Sequence, residues 1–289
     1  MGICITVQFI RLNQLVTKNI HNCKNFYFEK CYIETHIEER IMKLLLSLGI
    51  VFSFLVYSDD HENYYEPNVA EYYVSTFKEG KDMDDMMKWA AKWTKWAEES
   101  DAFKDYRSAM LIPYYHSGEL KQDFVWVGIS PNPEAHYGGN DYWVNNGGKL
   151  QTELNTILES GNQVIYTWQR TVSETPDGQA AYAVYTDCKL GEGVSSEDVY
   201  KAYFAYAKAA QELGDVAGRK MIFPGAGTSS DWDYDYVQLV TTSSIADYGK
   251  NWTNFWSEQA EDMPEYQALM DLGGVCENER TYSIVPVKN

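Results

Sequence analysis

The sequence has few basic residues, which limits the partners that the protein can bind. It contains 24 Lys and Arg against 42 Asp and Glu, giving a formal net charge of -18 at pH 7. The imbalance lies in residues 59–289, which hold 18 basic and 38 acidic residues. A surface of this sign repels polyanions, which argues against a nucleic-acid partner or an anionic membrane surface.

Familiar catalytic and metal-binding motifs are also missing. The sequence contains no Gly-x-Ser-x-Gly, no His-Glu-x-x-His, no Walker A motif and no dinucleotide fingerprint. Its five histidines show no metal-ligand spacing. We therefore predict no metal site, and no motif requires a cofactor. The small-residue segment 224–230 is predicted to connect a β-hairpin rather than to bind phosphate.

Residues 42–58 have the pattern of a secretory signal peptide. A basic start at Met42-Lys43 precedes an apolar run from Leu44 to Val56, and small or aliphatic residues precede a cut after Ser58. The run is shorter than the about 20 residues that span a membrane. We expect cleavage near Ser58, export to the periplasm or the medium, and no membrane segment in the mature form; an uncleaved anchor is the alternative. Residues 1–41 are expected to be upstream sequence or an extended leader.

An internal repeat organises the rest of the chain. Segment 135–140, Ala-His-Tyr-Gly-Gly-Asn, returns 111 residues later as Ala-Asp-Tyr-Gly-Lys-Asn at 246–251. Glu79-Gly80 and Lys88 return as Glu192-Gly193 and Lys201. We predict two copies of one fold, repeat 1 at 68–173 and repeat 2 at 179–289, joined by a Pro- and Gly-containing linker.

Each repeat has the predicted order β-α-β-β-α-β, the split βαβ pattern of the ferredoxin-like fold. In repeat 1, Asp82 is a predicted N-cap, and Met86, Ala90 and Trp93 follow at helical spacing on one face, which we interpret as core. Segment 131–148 is predicted to be a loop. The predicted strands are 70–78, 107–115, 124–130, 163–172, 180–188, 220–223, 234–241 and 279–287, and the predicted helices are 82–97, 149–159, 195–213 and 252–272, the last with a break before Pro264.

Aromatic residues occur at both odd and even positions along the strands and so point to both faces of each sheet. Both faces should therefore be covered. Packing the two sheets of the repeats together satisfies this. The arrangement resembles the dimeric α/β-barrel superfamily in a fused, tandem form: an α+β fold in which two ferredoxin-like repeats make a pseudo-twofold α/β barrel. The resemblance implies that one chain supplies what single-repeat members make by dimerising. It also raises cofactor-independent monooxygenase, heme-binding and heme-degrading activities, and heme as a cofactor.

Cys188 and Cys276 are the two cysteines that follow the signal sequence. Cys188 ends the first strand of repeat 2 and Cys276 leads into its last strand. These strands are antiparallel neighbours in a ferredoxin-like sheet, and an exported compartment is oxidising, so we predict a disulfide. Two buried thiols or a redox pair are the alternatives.

The repeated segment gives the candidate site. Gly138 and Gly249 suit a backbone with positive φ, and Asn140 and Asn251 suit a turn or an N-cap. The functional alternative is that two polar ligand sites lie at the barrel mouth, formed by Tyr137, Asn140, Tyr248, Asn251 and Asp247. His136 stands where repeat 2 has Asp247, so His136 is the candidate proton carrier. His116, at the end of a strand, is a second catalytic candidate or a solvent-exposed loop residue.

Three functions follow from these observations. The first is an exported module that binds a small aromatic or planar ligand. The second is a cofactor-independent monooxygenase or a heme-binding or heme-degrading enzyme. The third is a structural or interaction protein in which the duplication serves stability alone.

Overall fold

The computed structural model describes residues 64–116, 120–160, 163–257 and 262–289. The predicted leader (1–41) and signal peptide (42–58) lie outside the described residues. Within the described part of the chain, no helix is long and apolar enough to cross a membrane.

Repeat 1, over its described residues, has four strands and three α-helices. A short 3-10 turn at Asp101–Phe103 follows its first helix. The elements are β1 (Asn68–Ser75), α1 (Met83–Glu98), β2 (Arg107–Pro113), β3 (Phe124–Ser130), α2 (Pro133–Asn146), α3 (Gly148–Ile157) and β4 (Val164–Ser173).

Repeat 2 follows a 3-10 turn at Pro176–Gly178 and has the same order. Its last strand begins at Val275 and is longer than the predicted 279–287. The elements are β5 (Tyr182–Lys189), α4 (Ser196–Glu212), β6 (Gly218–Pro224), β7 (Tyr236–Thr242), α5 (Ile245–Ser257), α6 (Pro264–Met270) and β8 (Val275–Lys288).

The eight strands close into one barrel in the order β1-β3-β2-β8-β5-β7-β6-β4. Each repeat supplies four neighbouring antiparallel strands, and the pairs β2–β8 and β4–β6 join the two repeats. This order confirms the predicted α+β fold of two tandem ferredoxin-like repeats, and with it the fold-level resemblance to the dimeric α/β-barrel superfamily. Closure pairs both edges of each sheet, so neither repeat leaves an edge strand open.

Strand alternation gives the barrel an inner and an outer core. In β1, Ala70 and Tyr72 point into the barrel, whereas Glu71, Tyr73 and Ser75 point outward toward the helices. The inner core is filled by side chains from both repeats. Its buried members are Ala70, Tyr72, Leu111, Val125, Val127, Ala183, Tyr185, Ile222, Val237, Leu239 and Tyr282.

Two predicted helix starts are confirmed by their caps. The Asp82 carboxylate accepts a hydrogen bond from the backbone N–H of Asp85. Ser195 and Asp198 form a reciprocal capping box at the start of α4. Met86, Ala90 and Trp93 of α1 are buried, as the helical spacing predicted, and Trp89 and Ala97 are buried as well.

The predicted loop at 131–148 is wrong, because α2 occupies most of it. Asn132 caps α2 by accepting from the Ala135 N–H, and Pro133 takes the first helical turn, where a missing N–H costs nothing. Gly138 is therefore helical and has no positive φ, and the same holds for Gly249 in α5. The helix was not predicted because the segment is rich in Gly and Asn, which have low helix propensity. Packing of its inner face stabilises it.

Helix α5 also begins earlier than the predicted start near Trp252. Ser244 Oγ accepts a hydrogen bond from the Asp247 N–H at 3.0 Å and donates to the Asp247 carboxylate at 2.7 Å. This cap places segment 246–251 inside the helix. The predicted break before Pro264 is present, since α5 ends at Ser257 and α6 begins at Pro264.

The Cys188–Cys276 disulfide is present. The two cysteines are direct cross-strand partners of β5 and β8, with Cα atoms 4.1 Å apart. Cys188 is buried and Cys276 is exposed. The bond therefore fastens the start of β8 to the end of β5.

A chain of polar side chains links three neighbouring strands, β1, β4 and β6, inside the barrel. Gln169 Nε2 donates to Tyr72 Oη at 2.7 Å, and Lys220 Nζ donates to Gln169 Oε1 at 3.2 Å. Burial lowers the pKa of Lys220 to about 8, and repulsion from Arg107 acts in the same direction. The folded state therefore holds the Lys220 ammonium less favourably than water does.

The lowered pKa of Lys220 gives a pH dependence of stability. Because the folded-state value of about 8 lies below the ordinary 10.5, the unfolded chain binds more protons between these pH values. The free energy of unfolding of the wild type should therefore rise, relative to that of Lys220→Met, by about 1–3 kcal/mol between neutral pH and the ordinary lysine pKa. Urea unfolding across this range measures the difference. The exposed Lys88→Met variant is the control, and parallel curves for wild type and Lys220→Met would contradict the prediction.

Candidate functional site

A cavity of about 350 Å³ lies in repeat 1, between the outward face of its strands and helices α1, α2 and α3. Its volume is within the range of small-molecule pockets. Its walls are mainly aromatic and aliphatic, with polar residues at both ends. The lining residues are Glu71, Tyr73, Ser75, Met86, Trp89, Trp93, Phe103, Tyr106, Phe124, Trp126, Asn140, Trp143, Gln151, Leu154, Asn155, Leu158, Glu159 and Ser160.

The aromatic wall is built by α1 and β3. Trp93 packs edge-to-face on Trp126, with ring centroids 5.1 Å apart, and Trp89 packs on Trp126 at 5.9 Å. Trp89 Nε1 donates to the carbonyl of Leu150 in α3 at 2.9 Å, so its polar atom is satisfied away from the cavity. Trp93, which the helical spacing assigned to the core, thus also forms part of the wall of a cavity.

The deep end of the cavity is organised by the Glu71 carboxylate. Tyr106 Oη donates to Glu71 Oε1 at 3.1 Å, and Tyr73 Oη donates to Glu71 Oε2 at 3.0 Å. Asn140 Nδ2 from α2 also reaches Oε2, at 3.5 Å. Glu71 is only 5% exposed. The hydrogen bonds from these donors replace those that the carboxylate loses to water when it is buried.

Tyr106 can reach Glu71 because the neighbouring strand residue is Gly128. Gly128 is the cross-strand partner of Glu71, and a Cβ at this position would lie 1.7 Å from Tyr106 Oη. Trp126 Nε1 donates to the same hydroxyl at 3.3 Å. The glycine therefore provides the space in which the Tyr106 hydroxyl sits.

His136 lies behind this carboxylate. It is 4% exposed, and its Nε2 is 3.1 Å from Asn140 Nδ2 and 3.7 Å from Glu71 Oε2. The Asn140 amide nitrogen thus contacts both the Glu71 carboxylate and the His136 ring. Nδ1 is buried and has no hydrogen-bond partner. His136 does not itself line the cavity.

The two phenols beside Glu71 are held neutral. Burial raises the pKa of Tyr106 well above its usual value, and the negative charge of Glu71 raises it further. The same two causes raise the pKa of Tyr73. Both hydroxyls therefore keep their protons as donors to the carboxylate throughout the ordinary pH range.

Repeat 2 has no comparable cavity among its described residues. Where Glu71 pairs with Gly128 in repeat 1, Val184 pairs with Val240 in repeat 2. The side chains of Tyr200, Tyr203 and Met221 fill the space under α4. Between α4 and α5 a void of about 10 Å³ remains, which is about the volume accessible to one water.

The structure divides the predicted site residues of repeat 1. His136 and Asn140 lie together at the deep end of the cavity, as α2 turns both inward. Tyr137 points outward, is 58% exposed, and stacks on Tyr166 with ring centroids 5.7 Å apart. His116 follows β2, is exposed, and does not line the cavity. The cavity thus lies under the helices, whereas the prediction placed a ligand site at the barrel mouth.

The predicted residues of repeat 2 have local contacts instead. Asp247 caps α5 through Ser244. Asn251 Oδ1 accepts from the Val216 N–H at 3.1 Å and so fastens α5 to the turn before β6. Tyr248 packs on Tyr182, with ring centroids 5.2 Å apart. The repeated Tyr-Gly-x-Asn pattern is therefore a repeated helix, with a polar cluster in one copy.

Sequence reasoning missed Glu71, Tyr73, Tyr106 and Gly128. One signal was present: Glu71 stands in an apolar strand, on the alternation that the helices were expected to cover. A charge predicted to face the core indicates a site. The contribution of Gly128 could not be read in this way, since it depends on a ring from another segment.

Heme requires an axial ligand such as His, Cys, Met or Tyr. Among the described lining residues there is no His or Cys, the Tyr73 and Tyr106 hydroxyls are engaged by Glu71, and Met86 is 2% exposed. No cluster of three metal-ligating side chains occurs in the described parts of the chain. The residues of this cavity therefore do not fit a heme iron, and heme binding elsewhere in the chain stays a prediction.

No protein-family model matches this sequence, and no curated protein matches it. Solved structures are similar in fold. A chlorite dismutase candidate, TA0507, is 11% identical, with 76% of this chain and 96% of the other covered at a TM-score of 0.44. A monooxygenase candidate from Fusobacterium nucleatum is 10% identical, with 78% and 94% covered at 0.46. A heme-binding protein from Thermus thermophilus is 9% identical, with 76% and 92% covered at 0.38. These likenesses concern the fold alone.

The close approach of Tyr106 to Gly128 predicts the effect of a methyl group. Gly128→Ala should lower the free energy of unfolding by about 1–3 kcal/mol, because the new Cβ displaces the Tyr106 ring. In a Tyr106→Leu background the same substitution should cost less, with a coupling energy of about 1–2 kcal/mol. Urea unfolding of the four proteins closes the cycle, and additive effects would show that the two positions do not compete for space.

Proposed function

We propose that this protein binds a small molecule with an aromatic or planar body in the cavity of repeat 1. One observation carries the proposal: the cavity of about 350 Å³ occurs under the helices of repeat 1, whereas tyrosine and methionine side chains fill the same region of repeat 2. Large cavities in a core lower stability. Repeat 2 shows that side chains can fill this space in the same fold. The open cavity in repeat 1 therefore supports a binding role.

The aromatic walls and polar end match the composition of small-molecule sites, which combine apolar surface with a few convergent polar groups. A pocket of this kind favours the ligand-binding and enzymatic hypotheses over a purely structural role. We also propose that the protein is a monomer, because the two repeats of one chain close the barrel without a second copy.

A side chain that fills the cavity tests this function. Gln151 lines the cavity from α3, and Thr156 lies on the same helix outside the lining. We expect tryptamine, tryptophol, indole-3-propionate or 2-naphthol at millimolar concentration to raise the melting temperature of the wild type; a ligand at 100 times its Kd adds about 2.7 kcal/mol. Gln151→Trp should abolish the shift and Thr156→Trp should keep it.

The melting-temperature shifts of the two variants are compared with each other. A shift that persists in Gln151→Trp would place binding outside the cavity and overturn the proposal. No shift with any of these four compounds or with a wider library of aromatic fragments would overturn it as well.

A second candidate is an enzyme of the cofactor-independent oxygenase kind. The contact that favours it is His136 behind Glu71, since a proton taken by the carboxylate at the cavity could pass to a buried imidazole. Oxygen consumption and product analysis with the bound compound separate the two. Recovery of the compound unchanged supports a binding protein, and turnover lost in both Glu71→Gln and His136→Gln supports the enzyme.

We propose further that the protein is exported after cleavage near Ser58. The motivation is the signal-peptide pattern at 42–58, and the Cys188–Cys276 disulfide is consistent with an oxidising compartment. Mass spectrometry of protein produced from Met42 should find a chain that starts at Asp59 and lacks the two hydrogens of the thiols. A mass that includes residues 42–58 would show that the segment is not removed.

A further inference from the structure

The cavity of repeat 1 is electronegative as well as aromatic. Two carboxylates line it, Glu71 at the buried end and Glu159 at the exposed end. Among its described lining residues there is no Lys, Arg or His. The surrounding protein is also acidic, with 38 acidic and 18 basic residues in 59–289. A cavity of this charge disfavours anionic ligands and attracts cationic ones.

Glu71 retains capacity for a further donor. A carboxylate has about four acceptor positions, and Tyr106, Tyr73 and Asn140 occupy three. All three groups donate to Glu71, which is the pattern of an ionised carboxylate. Oε1 has only the Tyr106 hydroxyl as partner among the described contacts. A donor on a ligand can therefore bond to Oε1 without displacing a protein group.

No described Lys or Arg neutralises Glu71 in this arrangement. His136 is its one ion-pair contact in the described structure, at 3.7 Å. The same Nε2 atom contacts the Asn140 amide nitrogen, which also donates to Glu71. The buried carboxylate therefore has no permanently charged cation as a partner among the described side chains.

We propose that the repeat-1 cavity selects molecules that carry a protonated amine on an aromatic body, with the ammonium bonded to Glu71 and the body held by the tryptophan wall. This inference rests on the proposed function and names its ligand class. The ammonium of such a ligand would be the cationic partner of the Glu71 carboxylate. The faces and edges of Trp89, Trp93 and Trp126 supply apolar area, and tryptophan faces attract cations more strongly than other aromatic rings do.

Ligands that share one ring system test the charge requirement on the wild type. Tryptamine carries the ammonium, tryptophol replaces it by a hydroxyl, N-acetyltryptamine neutralises it, and indole-3-propionate reverses its sign. Isothermal titration should give tryptamine a Kd at least about 10-fold below that of tryptophol, and indole-3-propionate the weakest binding. This comparison needs no variant and decides the inference even where a substitution prevents folding.

A matched pair of variants then assigns the selectivity to one carboxylate. Glu71→Gln should reduce the preference for tryptamine over tryptophol to within about 3-fold, with tryptophol affinity nearly unchanged. Glu134→Gln removes an exposed carboxylate of α2 that does not line the cavity, and it should keep the preference. Melting curves confirm that both variants are folded.

The outcomes separate this inference from the proposed function. Equal binding of tryptamine and tryptophol, lost in Gln151→Trp, would overturn the amine inference and leave the cavity as the binding site. A tryptamine preference that survives Glu71→Gln would also overturn it. Failure of all four indoles to bind would overturn the amine inference, and the aromatic library would then decide the proposed function.

Discussion

The buried carboxylate of Glu71 is the constraint on which the arrangement of repeat 1 depends. A carboxylate removed from water is costly unless donors surround it. Here β1, α2 and the residue before β2 each supply one donor, and Gly128 gives the Tyr106 ring its space. The same donors tie α2 and the sheet together around the cavity. The polar end and the aromatic wall are thus parts of one packing solution.

The two repeats can be compared at this position, because repeat 2 lacks the polar cluster around Glu71. At the same register repeat 2 has Val184 opposite Val240, and its helix α4 fills the space with tyrosines. Both copies keep the barrel closed and both keep an Asn in the second helix. Stability of the fold therefore does not require the polar cluster. Its presence in one copy alone is the basis for assigning it a function.

Much of the fold could be predicted from the sequence, for reasons that are local. Asp82 and Ser195 start helices through caps that involve neighbours three residues away, and alternation identified most strands. The pairing of Cys188 with Cys276 followed from the order of elements. Segment 131–148 was missed because Gly and Asn weaken the helical signal, while the Asn132 cap and contacts of the inner face stabilise α2. Of the site, His136 and Asn140 were named, but as part of a loop at the barrel mouth.

The sequence by itself determined the repeat, the order of the strands, the acidic character and the disulfide, since each depends on spacing or composition along the chain. The tertiary structure decided where the cavity lies. Glu71 and Tyr106 are distant from Asn140 in sequence, and their meeting depends on the pairing of β1 with β3, on the inward face of α2 and on a glycine in the neighbouring strand. Cavity volume is likewise a sum over side chains from several elements, which no local pattern records.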